Sequence, residues 1–335
     1  MSESSPSAIS RQNLKVQKII VAISLGLFLV KIFAWWLTNS VAILTDALES
    51  TVNVIAGFMG LYSLHLSAKP KDKEHPYGHG KVEFITAAIE GALITVAGIL
   101  IIREAVMNLF TEHPFQKIDW GLYLVSATAL VNYFAGLACV RTGTKNHSPA
   151  LISGGKHLIS DTYTTLGIIV GLVLLYITGI AWIDAAVAIL FACIILYTGY
   201  RIIRKSLAGM MDEADTELIQ HLVDLLNQNR SDNWVDLHNL RIIQYGSQIH
   251  MDCHLTVPWY LNVHEAHRQI DALSGLVKQH FGDRVELFVH TDGCLEFSCA
   301  ICEKATCTQR QHPFQQKMVW TVDNIVSDQK HRVQS

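Results

Sequence analysis

The sequence predicts a membrane domain of six spanning α-helices joined to a cytoplasmic α+β domain of order helix, strand, strand, helix, strand. Three observations carry that prediction. Hydrophobic residues make up 50% of the 335 residues and charged residues only 16%, against roughly 25% charged in soluble domains. The apolar residues are segregated: as far as about residue 205 they form long runs, and beyond it they mix with polar residues as in a water-soluble fold. Sixteen histidines accompany a formal charge of only −3, a balance that suggests metal or proton chemistry and speaks against nucleic acid as a partner. The seven cysteines are an odd count and do not fit a fully paired secreted framework.

A bilayer span needs about 20 mostly apolar residues. Such runs fall near Val16–Leu37, Val41–Leu66, Phe84–Leu109, Trp120–Val140, Leu151–Ile177 and Trp182–Ile203. The first holds one interior cation, Lys31, which is expected to snorkel or to pair with an acid. The second holds Asp46 and Glu49 in its first turns, and the fifth holds His157 and Asp161. The leading segment lacks the pattern of a cleaved signal peptide. Gly91, Gly98, Gly167 and Gly171, with Ala87 and Ala88, are small residues expected to let helices pack closely.

Lys and Arg crowd one side of the predicted spans. Arg11, Lys15 and Lys18 precede the first, and Lys69, Lys71, Lys73 and Lys81 lie between the second and third. Arg141 and Lys145 precede the fifth, and Arg201, Arg204 and Lys205 end the sixth. The other side offers Thr38-Asn39-Ser40, a loop with Lys117, and the turn at Thr178-Gly179-Ile180-Ala181. This bias places both termini in the cytoplasm, where thiols stay reduced.

Beyond the sixth span, Asp215 is placed to cap a helix through about Gln228, with Leu218, Leu222 and Leu225 at helical spacing. Strands at Asp236–Gln244 and Gln248–Val257 meet in a hairpin at Tyr245-Gly246-Ser247. Asn262 caps a second helix that ends before Gly282, and Val285–His290 is a third strand. The resulting divisions are an N-terminal tail over 1–13, a membrane domain over 14–207, a cytoplasmic domain over 208–292 and a Cys-rich, then polar, tail over 293–335.

Ionisable groups inside spans are costly and point to function. Glu49 and Asn53 are four apart and share a helix face, and His157 and Asp161 repeat the spacing on another helix. Four O and N donors from two helices make a tetrahedral divalent-metal site, with two carboxylates to balance the ion. The alternative is a set of polar pairs fastening the two helices. Asp46 could cap its helix or line a pathway. In the loop at 69–81, Asp72, His75 and His79 could close around an ion, with glycines for a tight turn, or could be ordinary solvated side chains.

On the second strand, His250, Asp252 and His254 point one way, and Met251, Cys253 and Leu255 the other. His264 and His267 are three apart on a helix, not the four that a zincin HExxH requires, so a protease is rejected. No nucleophile–base constellation supports any other enzyme. Cys294, Cys299, Cys302 and Cys307 surround a CxxC core, which suggests a thiolate site for Zn²⁺, with an iron–sulfur cluster or reversible disulfides as alternatives. Cys139 and Cys193 lie in spans and are read as packing.

Three of these motifs together carry a resemblance. Ser40-Val-Ala-Ile-Leu-Thr-Asp-Ala-Leu-Glu49-Ser-Thr-Val-Asn53, His75-Pro-Tyr-Gly-His79-Gly-Lys81 and His157-Leu-Ile-Ser-Asp161 resemble, in order and spacing, motifs of the cation diffusion facilitator transporters. The resemblance covers nearly all of residues 14–292. It implies a homodimer that exports a divalent transition metal in exchange for protons, with a metallochaperone-like cytoplasmic domain. It implies a transport site at Glu49, Asn53, His157 and Asp161 and a loop site at Asp72, His75 and His79. It further implies a cytoplasmic-domain site at His238, His250, His267, His290 and Asp292, and a dimer charge interlock between Lys81 and Asp212. Zinc members usually carry His or Asp at the Glu49 position and Asp at the Asn53 position, so this chain keeps oxygen donors there but has one charge fewer.

The expected function is therefore proton-coupled export of Zn²⁺, with Fe²⁺, Co²⁺, Cd²⁺ or Mn²⁺ as other cargoes. The expected setting is a multi-pass protein of the bacterial inner membrane. Its expected partners are the cation, protons, lipid and a second copy of the chain. The alternative from another class is a membrane metal sensor of the same fold that binds metal without moving it.

Overall fold

The structure is a computed structural model that describes residues 6–38, 41–108, 120–178 and 182–333. The connections at 39–40, 109–119 and 179–181, the second with Lys117, lie outside the described residues. The chain divides between Met211 and Asp212 into two compact units.

The first unit contains the long helices α1 (Pro6–Thr38), α2 (Val41–Ser67), α3 (Val82–Asn108), α4 (Trp120–Lys145), α5 (Pro149–Thr178) and α6 (Trp182–Met210). Each overlaps one predicted span and exceeds the length a bilayer requires. By length and composition, three stretches among the described residues (Ala8–Phe33, Val82–Met107 and Ala186–Met210) are apolar enough to cross a membrane. Leu29 is 57% exposed, Phe134 65% and Leu190 61%. Such an apolar exterior suits a helix bundle solvated by lipid, whose backbone groups bond within each helix. Lys31 is buried on α1 and donates to Ser50 Oγ of α2 at 2.8 Å.

Within the bundle α3 packs on α6, α4 on α5, and α5 on α6 and α3, while α2 packs on α3 and α5. At the α4–α5 crossing Gly136 meets Gly155. A methyl group on Gly136 would stand 2.7 Å from the Gly155 carbonyl oxygen, and one on Gly155 would stand 2.8 Å from that of Gly136. Only paired glycines permit this approach, and it fixes α5 two residues before His157.

The second unit follows the predicted order, with α7 (Thr216–Gln228), β1 (Asp236–Tyr245), β2 (Gln248–Val257), α8 (Val263–Phe281) and β3 (Val285–Gly293). The Asp215 side chain accepts from Leu218 N at 3.2 Å and starts α7. Asn262 and Glu265 form a reciprocal capping box on α8. Gly282, at φ 77°, ends that helix in a conformation few L-residues adopt. The sheet has the order β1-β2-β3, with β1 antiparallel and β3 parallel to the central strand. A parallel return needs a crossover helix, and α8 supplies it.

Met251, Cys253 and Leu255 face the core with α7 and α8 behind them, as the period-two pattern predicts. β1 is subtler. Leu237 and Leu240 both reach that core although they are three residues apart. A register shift between His238 and Arg241, with Asn239 at φ 51°, supplies the extra residue.

The chain from Asp212 to the C-terminus forms one compact unit, so the stretch over 293–335 packs with the domain before it. Trp320 and Ile325, the latter in the short helix α9 (Val322–Ile325), are fully buried in the α7–sheet core. Two anchors in a polar stretch close a core but produce no hydrophobic period, so the sequence pattern did not show them.

Candidate metal sites

In the membrane unit, Asn53 of α2 lies between His157 and Asp161 of α5. Asn53 Nδ2 donates to Asp161 Oδ2 at 2.5 Å, and Asn53 Oδ1 is 2.7 Å from His157 Nε2. In this orientation the amide nitrogen serves Asp161 and the amide oxygen faces His157 Nε2. His157 is 6% exposed. The structure therefore brings three of the four predicted donors together across two helices, one turn apart on α5. The Glu49 backbone lies in α2 one turn before Asn53, and its side chain lies outside the described residues, as does that of Asp46.

The bundle also holds two buried carboxylates that the sequence reading passed over. Glu83, at the start of α3, accepts from Ser67 Oγ at 2.7 Å and from Ser148 Oγ. Glu90 is 1% exposed, and its Oε1 is 3.5 Å from where a Gly154 Cβ would stand. For Glu90 the available signal was an acid in the middle of an apolar run, whereas Glu83 stands just before that run.

The loop residues Asp72, His75 and His79 form a cluster with donor atoms all within 4.8 Å of one another. Asp72 Oδ1 accepts from the His75 amide at 2.7 Å, and its Oδ2 is 3.3 Å from His79 Nε2. The His75 amide bond is the main reason the Asp72 pKa falls below the usual carboxylate value. Gly78, at φ 92°, makes the turn that brings the two imidazoles together, with ring centroids 4.2 Å apart and tilted by 39°. His79 Nδ1 is buried without a hydrogen-bond partner. A charged carboxylate and two imidazoles with an unsatisfied ring nitrogen fit a divalent transition metal. Lys81 follows directly, at the entrance to α3.

In the soluble unit, strand register builds the site. His238 of β1 pairs with His254 of β2, and His254 with His290 of β3, so three histidines form one row across the sheet. Asp292 stands two residues beyond on β3. His238, His254 and Asp292 have donor atoms all within 4.8 Å of one another, and the His290 ring lies 4.6 Å from that of His254. Burial holds the His238 pKa below the ordinary value against the pull of Asp236 and Asp292, which leaves its ring neutral. A neutral imidazole is what a metal requires. His238 Nε2 faces Asp292 at 3.6 Å and Nδ1 faces Asp236 at 3.6 Å. His238 Nδ1 makes no hydrogen bond, so Asp236 stands near the ring as a charge rather than as a bonded partner.

Asp236 is itself held by the tail, since His331 Nδ1 lies 2.6 Å from its Oδ1. Burial alone would raise Asp236, and the His331 bonds and charge hold it below the usual carboxylate value. Lys330 Nζ approaches Asp292 to 3.5 Å.

Two of the five residues placed in this site by resemblance stand elsewhere. His250 is four residues, roughly 13 Å, from His254 along β2 and pairs with Glu286 at 3.1 Å. His267 is 67% exposed on α8, beside Asp271 at 3.7 Å. His254 takes the place given to His250. The two share a face and are an even number of residues apart, so alternation could not choose between them, and only the register to β1 and β3 does. Zinc titration of the fragment 212–335 is expected to show affinity reduced by about 10- to 100-fold in His254→Ala and unchanged in His250→Ala. The reverse ranking would reject the row as the site.

Comparison with known proteins places these features in a family. The cation efflux transmembrane domain matches residues 18–211, and the cytoplasmic domain of cation efflux proteins matches residues 214–294. An uncharacterized transporter of Synechocystis is 32% identical over 76% of this chain and 83% of its own length. The cation-efflux pump FieF of Citrobacter koseri is 28% identical over 80% of this chain and 88% of its own. That of Shewanella oneidensis is 27% identical over 81% and 91%.

Proposed function

This chain belongs to the cation efflux family, whose members are membrane transporters of metal cations rather than enzymes, and we propose that it exports Zn²⁺ from the cytoplasm in exchange for protons. The observation that carries the reading is the amide of Asn53 bridging His157 and Asp161. In that bridge His157 Nε2 acts as the proton donor to the amide oxygen, and the Asp161 carboxylate accepts from the amide nitrogen. A cation needs both lone pairs, so its entry requires that Nε2 give up its proton and that the amide swing its oxygen toward the ion. Loss of the proton and gain of the metal are thus alternatives at one atom. Protonation on the far side reverses the exchange and releases the cargo.

Glu49 completes the set, so that two carboxylates and a neutral imidazole match a divalent charge. Mixed imidazole and carboxylate donors favour zinc and its neighbours over Mg²⁺ or Ca²⁺. The loop cluster and the histidine row hold metal on the cytoplasmic side, and a second copy of the chain joins through the cytoplasmic domain, with Lys81 and Asp212 as the charge interlock. The Lys and Arg bias supports a cytoplasmic location for both termini, and the bacterial relatives support an inner-membrane one.

Purified protein in vesicles with an acid lumen is expected to accumulate Zn²⁺, and a protonophore is expected to abolish the uptake. Uptake indifferent to the pH gradient would refute exchange, and absence of zinc uptake would refute the cargo.

A further inference from the structure

We propose that Lys31 is a tethered counter-cation of the transport site, a charge on α1 that keeps the affinity for cargo low enough for release. The inference rests on the assignment of Glu49, Asn53, His157 and Asp161 to that site and adds a positioning charge from a third helix.

Lys31 stands inside an apolar run, with Val30 before it and Ile32 after it. It is 6% exposed on α1, and its Nζ donates to Ser50 Oγ of α2 at 2.8 Å. Ser50 is buried as well. An ionisable group carried this far into an apolar bundle is costly. A glutamine would make the same bond to a hydroxyl without bringing a charge with it. The bond alone therefore does not account for a lysine.

The place of that bond on α2 supplies a use for the charge. Ser50 follows Glu49 directly and stands one turn before Asn53, whose amide bridges His157 and Asp161 of α5. Residues three apart on a helix have β-carbons about 5–6 Å apart, so the ammonium lies within roughly 10 Å of that amide. Lys31 thus brings α1 to the level of the donors without being one of them, since an ammonium has no lone pair to give.

Charge decides the direction of the effect. Two carboxylates and a neutral imidazole balance a divalent ion by themselves. With the ammonium counted, the empty site carries one net negative charge and the loaded site one net positive charge. Without it, the empty site would carry two negative charges and the loaded site none, and the loaded state would be a trap. Over such a distance, at an effective dielectric between those of water and dry protein, repulsion between a unit charge and a divalent ion lowers affinity by a factor of about 10 or more. As in a channel, a site on a transport route must bind well enough to load and weakly enough to unload.

The test is zinc uptake by the full chain in vesicles with an acid lumen, followed over a range of zinc concentrations, with thermal stability measured beside it. Lys31→Gln keeps a donor for Ser50 and removes the charge, Lys31→Met removes both, and Lys31→Arg keeps both. In the Gln and Met variants the KM for zinc is expected to fall about 10-fold, and the maximal rate to fall with it because cargo is held longer. The melting temperature is expected to stay at the wild-type value, and the Arg variant to keep the wild-type KM. A KM unchanged or raised in both neutral variants, beside lost flux in Asp161→Asn, would overturn the counter-cation and leave the site standing. An Arg variant that behaves as the Gln variant does would overturn it too, because shape rather than charge would then be what matters. Wild-type flux in Asp161→Asn would overturn the site itself and the counter-cation with it.

Discussion

Zinc flux through the Asp161→Ala protein is expected to fall by about 100-fold or more, the largest functional effect expected of any single change in the bundle. The carboxylate has two roles at once. It supplies one of the two negative charges of the proposed site, and it receives the Asn53 amide at 2.5 Å, which holds that side chain between the two helices. Removing it leaves a divalent ion facing a single carboxylate in a medium that screens poorly, so the ion is not drawn from water. Asp161→Asn separates the roles. It keeps the shape and a hydrogen bond but not the charge, and flux is expected to be lost almost as fully. The fold is expected to survive both changes, because α5 is seated on α4 through Gly136 and Gly155 rather than through the acid. Vesicle uptake measured beside thermal stability decides the matter. Wild-type flux in Asp161→Asn would remove this residue from the pathway.

The sequence showed the parts of this molecule that obey a period. Spans of about 20 apolar residues, the Asp215 and Asn262 caps and the alternation of β2 each follow from local chemistry, and the structure has a helix over every expected span, with α1 starting ten residues earlier and α6 ending seven later. What lay hidden depends on partners distant in sequence. The bulge at Asn239 shifts the phase of β1, and the register of β3 on β2 decides that His254, not His250, joins His238 and Asp292. Neither is visible in a strand read alone. The membrane donors were legible because polar residues are rare among apolar ones, and Glu90 was legible by the same signal. Lys31 was plain in the first span, and its hydrogen bond to Ser50, a neutral hydroxyl on another helix, is one that no charge pattern would reveal.

The tail was the least legible segment, and it carries the second large effect. Trp320→Ala is expected to destabilise the fragment 212–335 by about 3–5 kcal/mol, as truncation of a buried tryptophan does. The side chain is 1% exposed within the core formed by α7, α8 and the sheet. Its backbone is clasped by one side chain, since Asn227 Nδ2 donates to Trp320 O at 2.7 Å and Asn227 Oδ1 accepts from Trp320 N at 3.2 Å. The Arg230 guanidinium lies 4.1 Å from the indole ring and donates to the carbonyls of Met318 at 2.5 Å and Val235 at 2.5 Å. Removing the ring thus empties a cavity and takes the stacking face from a half-buried cation at the same time. The melting temperature is expected to fall by more than about 10 °C. The neighbouring Val319, 55% exposed, supplies the contrast, and Val319→Ala is expected to stay within about 0.5 kcal/mol of the parent. The same tail delivers Lys330 to Asp292 and His331 to Asp236. Trp320→Ala is therefore also expected to weaken zinc retention at the histidine row, because the segment that places Lys330 beside Asp292 and His331 on Asp236 loses its anchor. Equal tolerance of both substitutions would mean that residues beyond 293 are an appendage and not a wall of the domain core.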